Sequence, residues 1–300
     1  MKDKEEIEQE EFSDDELIIR KKKTPEQKTG VSAESVVKTA MDALDALRAK
    51  KPLVECLANY VGAGFTANAL FALGASPMML EDMGEATNFA TQTDGLLINM
   101  GTVSKPQTDA MRAAVAHANS AAKPWLLDPA GIGTLPLRTF TTKELMRRFP
   151  AIIRGNASEV MFLAGAETAG RGLEAVISSD EAVAGAQRLA GVTRAAVIVA
   201  GVTDYVAAEG APVVAVSHVE LPRLAGLGCV QGALGAAFLG ALGTRSRWEA
   251  AVSAVVVMAV VAELALKQAK GPGTFAAAFV DALANVTPAD VKKLAKVKVG

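Results

Sequence analysis

Aromatic side chains make up only 5% of this 300-residue chain, and histidine and cysteine occur twice each. Each scarcity excludes a class of chemistry. Cys56 and Cys229 are far apart in sequence and have no metal-ligand spacing around them, which argues against a disulfide framework and for a reduced, cytosolic protein. With His117 and His218 as the whole supply, metal or triad chemistry built on histidine is not expected. A formal net charge of −2 gives no field that draws in nucleic acid or acidic lipid. Uninterrupted membrane-length apolar runs are missing as well. Ala250 to Ala262 is too short and ends at Glu263, while Leu224 to Leu242 is broken by Gln231 and by glycines. Both read as buried helices of a soluble core. Residues Met1 to Gly30 contain no apolar stretch and many acids, which argues against a secretory signal or transit peptide.

What the chain does have is hydrophobic residues, at 50%, with alanine and glycine abundant, a mixture suited to helices packed closely on a sheet. The first thirty residues carry acidic runs, then Arg20-Lys21-Lys22-Lys23 and Thr24-Pro25. Charge blocks of this kind bury too little surface to fold alone, so residues 1–30 read as a flexible tail. An address signal or a nucleic-acid patch is the alternative for the basic cluster. From Val31 onward the pattern is uniform, which predicts one domain over residues 31–300, a length that α/β folds of about 250 residues accommodate. Strand-like runs recur at Leu96 to Met100, Trp125 to Asp128 and Ala196 to Ala200. Helical stretches lie between them, at Thr108 to Ala122, Asp180 to Ala190 and Cys229 to Leu242. Alternating strands and helices imply an α/β fold with a largely parallel sheet and helices on its faces. Ligands of such sheets sit beyond the carboxyl ends of the strands. That rule selects Asn99-Met100-Gly101-Thr102, Asp128-Pro129-Ala130-Gly131-Ile132-Gly133 and Ala200-Gly201-Val202-Thr203-Asp204.

Three segments offer chemistry. Ala225-Gly226-Leu227-Gly228-Cys229 runs directly into an apolar helix. Its glycines let backbone amides aim at an anion, and the helix N-terminus adds positive potential. A cysteine in that first turn is expected to be partly thiolate and able to take a proton from an alcohol; the alternative is a buried cysteine behind a tight turn. Arg154-Gly155-Asn156-Ala157-Ser158-Glu159, placed just after the strand Ala151 to Ile153, offers a phosphate ligand, a polar clamp and a carboxylate for Mg²⁺. Asp128 is the natural second carboxylate, since nucleotide-site magnesium takes one or two carboxylates plus phosphate oxygens. Gly62-Ala63-Gly64-Phe65-Thr66-Ala67 matches a loose dinucleotide fingerprint. The preceding Glu55 to Tyr60 makes a poor buried strand, however, and a helix start through Thr66 to Leu70 reads equally well.

Together these segments resemble the hydroxyethylthiazole kinase family of the ribokinase-like superfamily, from about Pro52 to Leu242. The resemblance rests on Phe65 to Leu70 with Leu73 to Pro77, Ile98 to Thr102, Leu127-Asp128-Pro129, Ile153 to Glu159, Asp204-Tyr205-Val206 and Gly226 to Cys229. It implies a three-layer fold, a central sheet flanked by helices, and a homotrimer with its sites between subunits. It also implies transfer of the ATP γ-phosphate to 4-methyl-5-(2-hydroxyethyl)thiazole in thiamine salvage. By the same resemblance Asn59, Met79 and Gly226 bind the thiazole, and Cys229 is the base at its hydroxyl. Arg154, Asn156, Ala200 and Gly228 bind ATP, and Asp128 and Glu159 lie near Mg²⁺.

The sequence departs from the family at several points. The family's Thr-Gly-Glu is here Ala200-Gly201-Val202, and its Thr-Gly-Thr-Gly-Cys is Ala225-Gly226-Leu227-Gly228-Cys229. The residue before Asn59 is Ala58 instead of threonine, and the residue before Cys56 is Glu55 instead of histidine. Hydroxyls and a carboxylate are therefore missing on the nucleotide side, while the glycines and Cys229 remain. An active kinase and a weakened relative that binds thiazole or nucleotide, or serves in protein interactions, are the two readings this leaves. A dinucleotide-binding oxidoreductase is the third, from the glycines at Gly62.

Overall fold

Where the charge blocks stop, Ser32 starts the first helix, its hydroxyl accepting the Ser35 amide at 3.2 Å in a reciprocal capping box. The computed structural model describes residues 30–166 and 177–300, so the charged segment read as a tail lies outside the described residues. Helix α1 (Ala33–Lys50) buries Val36, Ala40, Ala43, Leu44 and Leu47, a stripe at helical spacing. The chain continues through β1 (Leu53–Leu57), α2 (Ala63–Leu73), β2 (Ser76–Met79), α3 (Met83–Phe89), β3 (Gly95–Asn99), α4 (Lys105–Ser120) and β4 (Trp125–Asp128). Next come α5 (Pro136–Met146), β5 (Ile152–Asn156), α6 (Ala157–Leu163), α7 (Val183–Thr193) and β6 (Ala196–Ala200). The remaining elements are β7 (Thr203–Ala207), β8 (Val214–Ser217), α8 (Leu227–Leu242), α9 (Arg247–Leu266), α10 (Pro272–Asn285), α11 (Pro288–Leu294) and β9 (Lys296–Val299).

The strands form one sheet in the order β2-β1-β3-β4-β5-β6-β7-β8-β9. Neighbours from β2 to β6 run parallel, and those from β6 to β9 antiparallel. Side chains alternate across it. Val54, Cys56, Leu97, Leu126, Ile152 and Ile198 face one core with α1, α2, α8, α9 and α10. Leu96, Ile98, Leu127, Ile153 and Val197 face the other, with α3 through α7. A sheet with helices on both faces is the three-layer α/β architecture expected from the sequence.

Several boundaries differ from the sequence reading, four of them with a clear physical cause. Helix α4 begins at Lys105 because Ser104 and Gln107 form a capping box just before it. Strand β5 continues through Arg154 and Asn156, which pair with Ile198 and Ala200, so these polar residues belong to the strand and not to the loop after it. Strand β1 includes Glu55 because partners on both sides, Met78 and Leu96, impose extended pairing on a polar residue. Helix α9 runs past Glu263, whose carboxylate meets Lys267 and Lys296. The helix is thus long and apolar enough to cross a bilayer, yet it is mostly buried inside the protein, packed on α1, α8 and α10.

Candidate active site

Parallel strands place their last residues along one edge, and here that edge carries Asn99, Asp128, Asn156 and Ala200 at the ends of β3, β4, β5 and β6. Asn59 follows β1 on the same edge. Asn99 and Asp128 stand opposite each other in register, and the Asn99 amide donates to Asp128 Oδ2 at 2.7 Å. The Asn59 amide donates both to Asn99 Oδ1 at 2.7 Å and to Cys229 Sγ at 3.1 Å. On the other side of Asp128, Arg154 Nη1 approaches Oδ2 to 3.8 Å. Arg154 Nε donates to Gln231 Oε1, and Gln231 Nε2 to Asp204 Oδ2, each at 2.8 Å. One chain of polar contacts therefore runs from Cys229 to Asp204 across the sheet edge.

Backbone shape brings α8 into this chain. Gly226 caps the helix at φ +94°, a left-handed conformation that a side chain would strain. A Cβ at Gly62 would lie 2.9 Å from Cys229 Sγ, and one at Gly228 would lie 2.9 Å from Arg154 Nη1. The glycine at position 62 thus makes room for Cys229. That packing role, together with the family membership reported below, overturns the dinucleotide reading of the motif.

Within the site, burial acts most strongly on Asp128. Asp128 is 1% exposed, and burial pushes it up to about 7, against the pull of Arg154 and with Glu159 adding a like charge. Its Oδ1 has no hydrogen-bond partner, and is the atom that a cation would satisfy. Glu159 is already engaged: Oε1 accepts the Gly131 amide at 2.9 Å and Oε2 the Asn156 amide at 2.8 Å. Its structural work is to tie the β4–α5 loop to the start of α6, where Asn156 in turn accepts the Glu159 amide. Among the described residues no three His, Cys, Asp or Glu side chains cluster as a cage. Of the two acids, Asp128 alone presents an oxygen without a partner, and both oxygens of Glu159 are held by backbone amides.

Cys229 departs from expectation. Burial first, and then the Asp128 charge, hold its thiol above the ordinary range, with Asn59 and Arg154 opposing. The expected partly thiolate Cys229 is therefore corrected: its surroundings favour the neutral thiol. Cys56 lies wholly in the core, where burial raises it as well.

Beyond Arg154 opens a cleft of about 130 Å³, lined by Arg154, Ala200, Asp204, His218, Leu227 and Met258 among others. Gly228 lines it too, and Ala200 sits at its rim, half-buried and opposite Asn156. Gly226 packs on Phe65 at the start of α2. Met79 stands apart from the polar chain, at the carboxyl end of β2 and in register with Cys56. Three participants had no assigned role in the sequence reading. Asn99 was only a strand end, Gln231 only a break in an apolar run, and His218 was set aside. Gln231, at 3% exposed inside an apolar helix, was findable, because a buried amide in such surroundings requires a polar partner.

Fold and site together define a ribokinase-like small-molecule kinase architecture. The fold is shared with the pyridoxal kinase of Staphylococcus aureus in complex with AMP-PCP and pyridoxal (TM-score 0.57, 15% identity, 83% of this chain and 98% of that one). The likeness to a solved hydroxyethylthiazole kinase protein from Pyrococcus horikoshii is greater, with a TM-score of 0.80 and 32% identity over 88% of this chain and 99% of that one. The "Hydroxyethylthiazole kinase" of Tolumonas auensis is 42% identical over 242 residues, covering 80% of this chain and 90% of the relative. The sequence profile of the hydroxyethylthiazole kinase family matches residues 44–289, and the chain belongs to that family.

Proposed function

We propose that this chain is a hydroxyethylthiazole kinase, transferring the γ-phosphate of ATP to the side-chain hydroxyl of 4-methyl-5-(2-hydroxyethyl)thiazole, a salvage step toward thiamine. The observation that carries this reading is the unbroken polar chain Cys229–Asn59–Asn99–Asp128–Arg154, which joins a thiol at a helix N-terminus to a guanidinium beside a cleft. The thiazole alcohol lies at the Cys229 end, against Asn59, Met79 and Gly226. The nucleotide occupies the cleft, with Arg154, Asn156, Ala200 and Gly228 at its phosphates.

In this arrangement α8 aims its first amides at the transferring phosphoryl group, where the helix potential favours negative charge. Arg154 neutralises part of that charge and is kept in place by Gln231. Cys229, once its own proton has left for solvent, receives the hydroxyl proton as the alcohol oxygen bonds to the γ-phosphorus and the bond to the departing ADP oxygen breaks. Asp128, through its unpartnered Oδ1 and with Glu159 nearby, would hold a nucleotide-borne Mg²⁺, which would supply further charge neutralisation. Most of the rate then comes from positioning and electrostatics, as in phosphoryl transfer generally.

A homotrimer with pockets completed by neighbouring subunits accords with Met79 standing at the sheet edge. It also accords with the exposed apolar side chains Tyr60, Val61, Phe71 and Met78 near β1 and β2. We infer a cytoplasmic protein with no nucleic-acid or membrane partner. Ala200, Val202, Ala225 and Leu227, which replace the family's polar residues, favour one rival reading, a weakened relative that binds its ligands without turnover. ADP formation from Mg-ATP that depends on the thiazole alcohol and stops with EDTA is the expected result. Calorimetric binding of both ligands with no ADP at millimolar substrate would establish the rival.

A further inference from the structure

His218 sits at the far end of the cleft, with both ring nitrogens committed. Nδ1 lies 2.8 Å from the carbonyl oxygen of Val219, and Nε2 lies 2.9 Å from that of Gly201. A carbonyl oxygen only accepts, so each ring nitrogen must carry a proton, and a ring with two such protons is an imidazolium. Its counter-charge is at hand: Asp204 Oδ1 is 3.8 Å from Nε2 and also accepts the Gly201 amide at 2.9 Å. The His218 side chain is only 9% exposed. Asp204 Oδ2 holds Gln231, and Gln231 holds Arg154.

We propose that His218 is a positioning residue, a fixed imidazolium that pins the Ala200-Gly201-Val202 turn and, through Asp204 and Gln231, sets the Arg154 guanidinium in the nucleotide cleft. This rests on the kinase reading above for the identity of the cleft's ligand, and on the polar chain for everything else. It also gives the altered turn a physical support. The sequence there has lost a hydroxyl and a carboxylate relative to the family, and what restrains it now is the Gly201 backbone, held by His218 at the carbonyl and by Asp204 at the amide.

The charge of the ring is consistent with its surroundings. The Asp204 carboxylate beside the ring, aided by the two carbonyls, raises His218 to about 9 against the opposing effect of burial. The charged groups that line the cleft with it are Asp204 from β7 and Arg154 from β5. Helix α8 presents the neutral Gln231, and α9 presents Met258, Ala259 and Ala262. On its own segment, Glu220 and Arg223 are exposed. The turn is therefore fully pinned at neutral pH and released as pH climbs through the ring's titration.

Two measurements on the full chain test this without requiring turnover. Nitrogen-15 spectra of the ring, with His218 distinguished from His117 by a His117→Gln sample, should show a doubly protonated His218 at pH 7.5. Equilibrium titration with Mg-ADP should be about tenfold weaker in His218→Gln, the size of one lost charge-assisted hydrogen bond. Binding to the parent should weaken between pH 8 and 9.5, while the variant shows no such change. A neutral ring at pH 7.5, or parent-like binding by a folded His218→Gln, would overturn the proposal. Should that variant not fold, Asp204→Asn serves instead. It should lower the ring's midpoint by more than about one pH unit, and an unmoved midpoint would sink the idea. Absence of ADP formation with the thiazole alcohol would count against the kinase reading alone, because ring charge and nucleotide binding are read independently.

Discussion

Asn59 and Cys229, 170 positions apart in sequence, meet side chain to side chain at 3.1 Å, the amide donating to the sulfur. The same amide also holds Asn99, which in turn holds Asp128, so the thiol is fixed relative to the polar ends of β3 and β4. A sulfur held this way accepts a hydrogen bond in either protonation state, and it is poised to take a proton only once its own has left.

That contact sets the first prediction. Cys229→Ala should lower kcat by about 10²–10⁴-fold, the usual worth of a general base, and leave thiazole binding largely intact. Because the Cys229 thiol is raised, the thiolate fraction grows as pH moves above the ordinary thiol range. The parent's kcat should accordingly keep rising through pH 9, and the variant's profile should be flat there. His218 acts on nucleotide affinity, so its alkaline effect appears in KM for ATP and the two are separable. Equal turnover in parent and variant would reduce Cys229 to packing against Gly62.

Two substitutions address the nucleotide side in opposite directions. Ala200→Thr places a hydroxyl at the cleft rim, on a strand end that accepts a β-branched residue. It should lower KM for ATP by up to about tenfold, as a hydrogen bond to a charged group contributes roughly 1.5–3 kcal/mol. Gly228→Ala pushes a methyl to 2.9 Å from the tip of Arg154. A flexible guanidinium yields at little cost in stability, so the expected signature is a raised KM for ATP with a nearly unchanged melting temperature. Leu227→Thr is a poorer probe, since Leu227 is 8% exposed within the core and its loss leaves a cavity. An unmoved KM in both Ala200→Thr and Gly228→Ala would place the phosphates elsewhere.

Stability should fall as pH rises from 6 to 9. Glu55 is fully buried on β1 with neither oxygen partnered, and burial raises it from 4.5 to about 8. Above pH 4.5 the unfolded chain releases this proton while the folded chain retains it, so stability drops until about pH 8 and stays lower beyond. Asp128, raised from 3.8 to about 7 by burial, acts in the same direction. His218 contributes fully below its ordinary 6.5, and that contribution is lost as pH passes through about 9. Glu55→Met fills a similar volume and removes the buried acid. It should exceed the parent by about 1–3 kcal/mol at pH 9, the cost of an unpaired buried polar group, with the gap closing toward pH 4.5. Thermal melts across this range decide it, and a gap independent of pH would show that Glu55 is satisfied in solution.

The alternation of strands and helices around β3, β4, β5 and β6 is legible in the sequence, because apolar runs bounded by Gly, Asn and Asp mark strand ends through local backbone preference alone, whereas the antiparallel β7, β8 and β9 are set by long-range pairing. Once the sheet is parallel those ends must share one edge, which brings Asn99, Asp128 and Ala200 together there. The segment carrying Arg154, Asn156 and Glu159 was also found, although two of those residues lie inside the strand, where pairing with β6 outweighs their polarity. Glu55 defeated the local reading for the same reason, since its neighbours on β2 and β3 impose the extended conformation and bury it. Only tertiary structure decided that Gly62 serves Cys229, that Gln231 bridges Arg154 and Asp204, and that the Cys229 thiol is raised instead of lowered. These depend on contacts between residues tens to hundreds of positions apart, and on desolvation, which is a property of the packed surroundings and has no local signature in the chain.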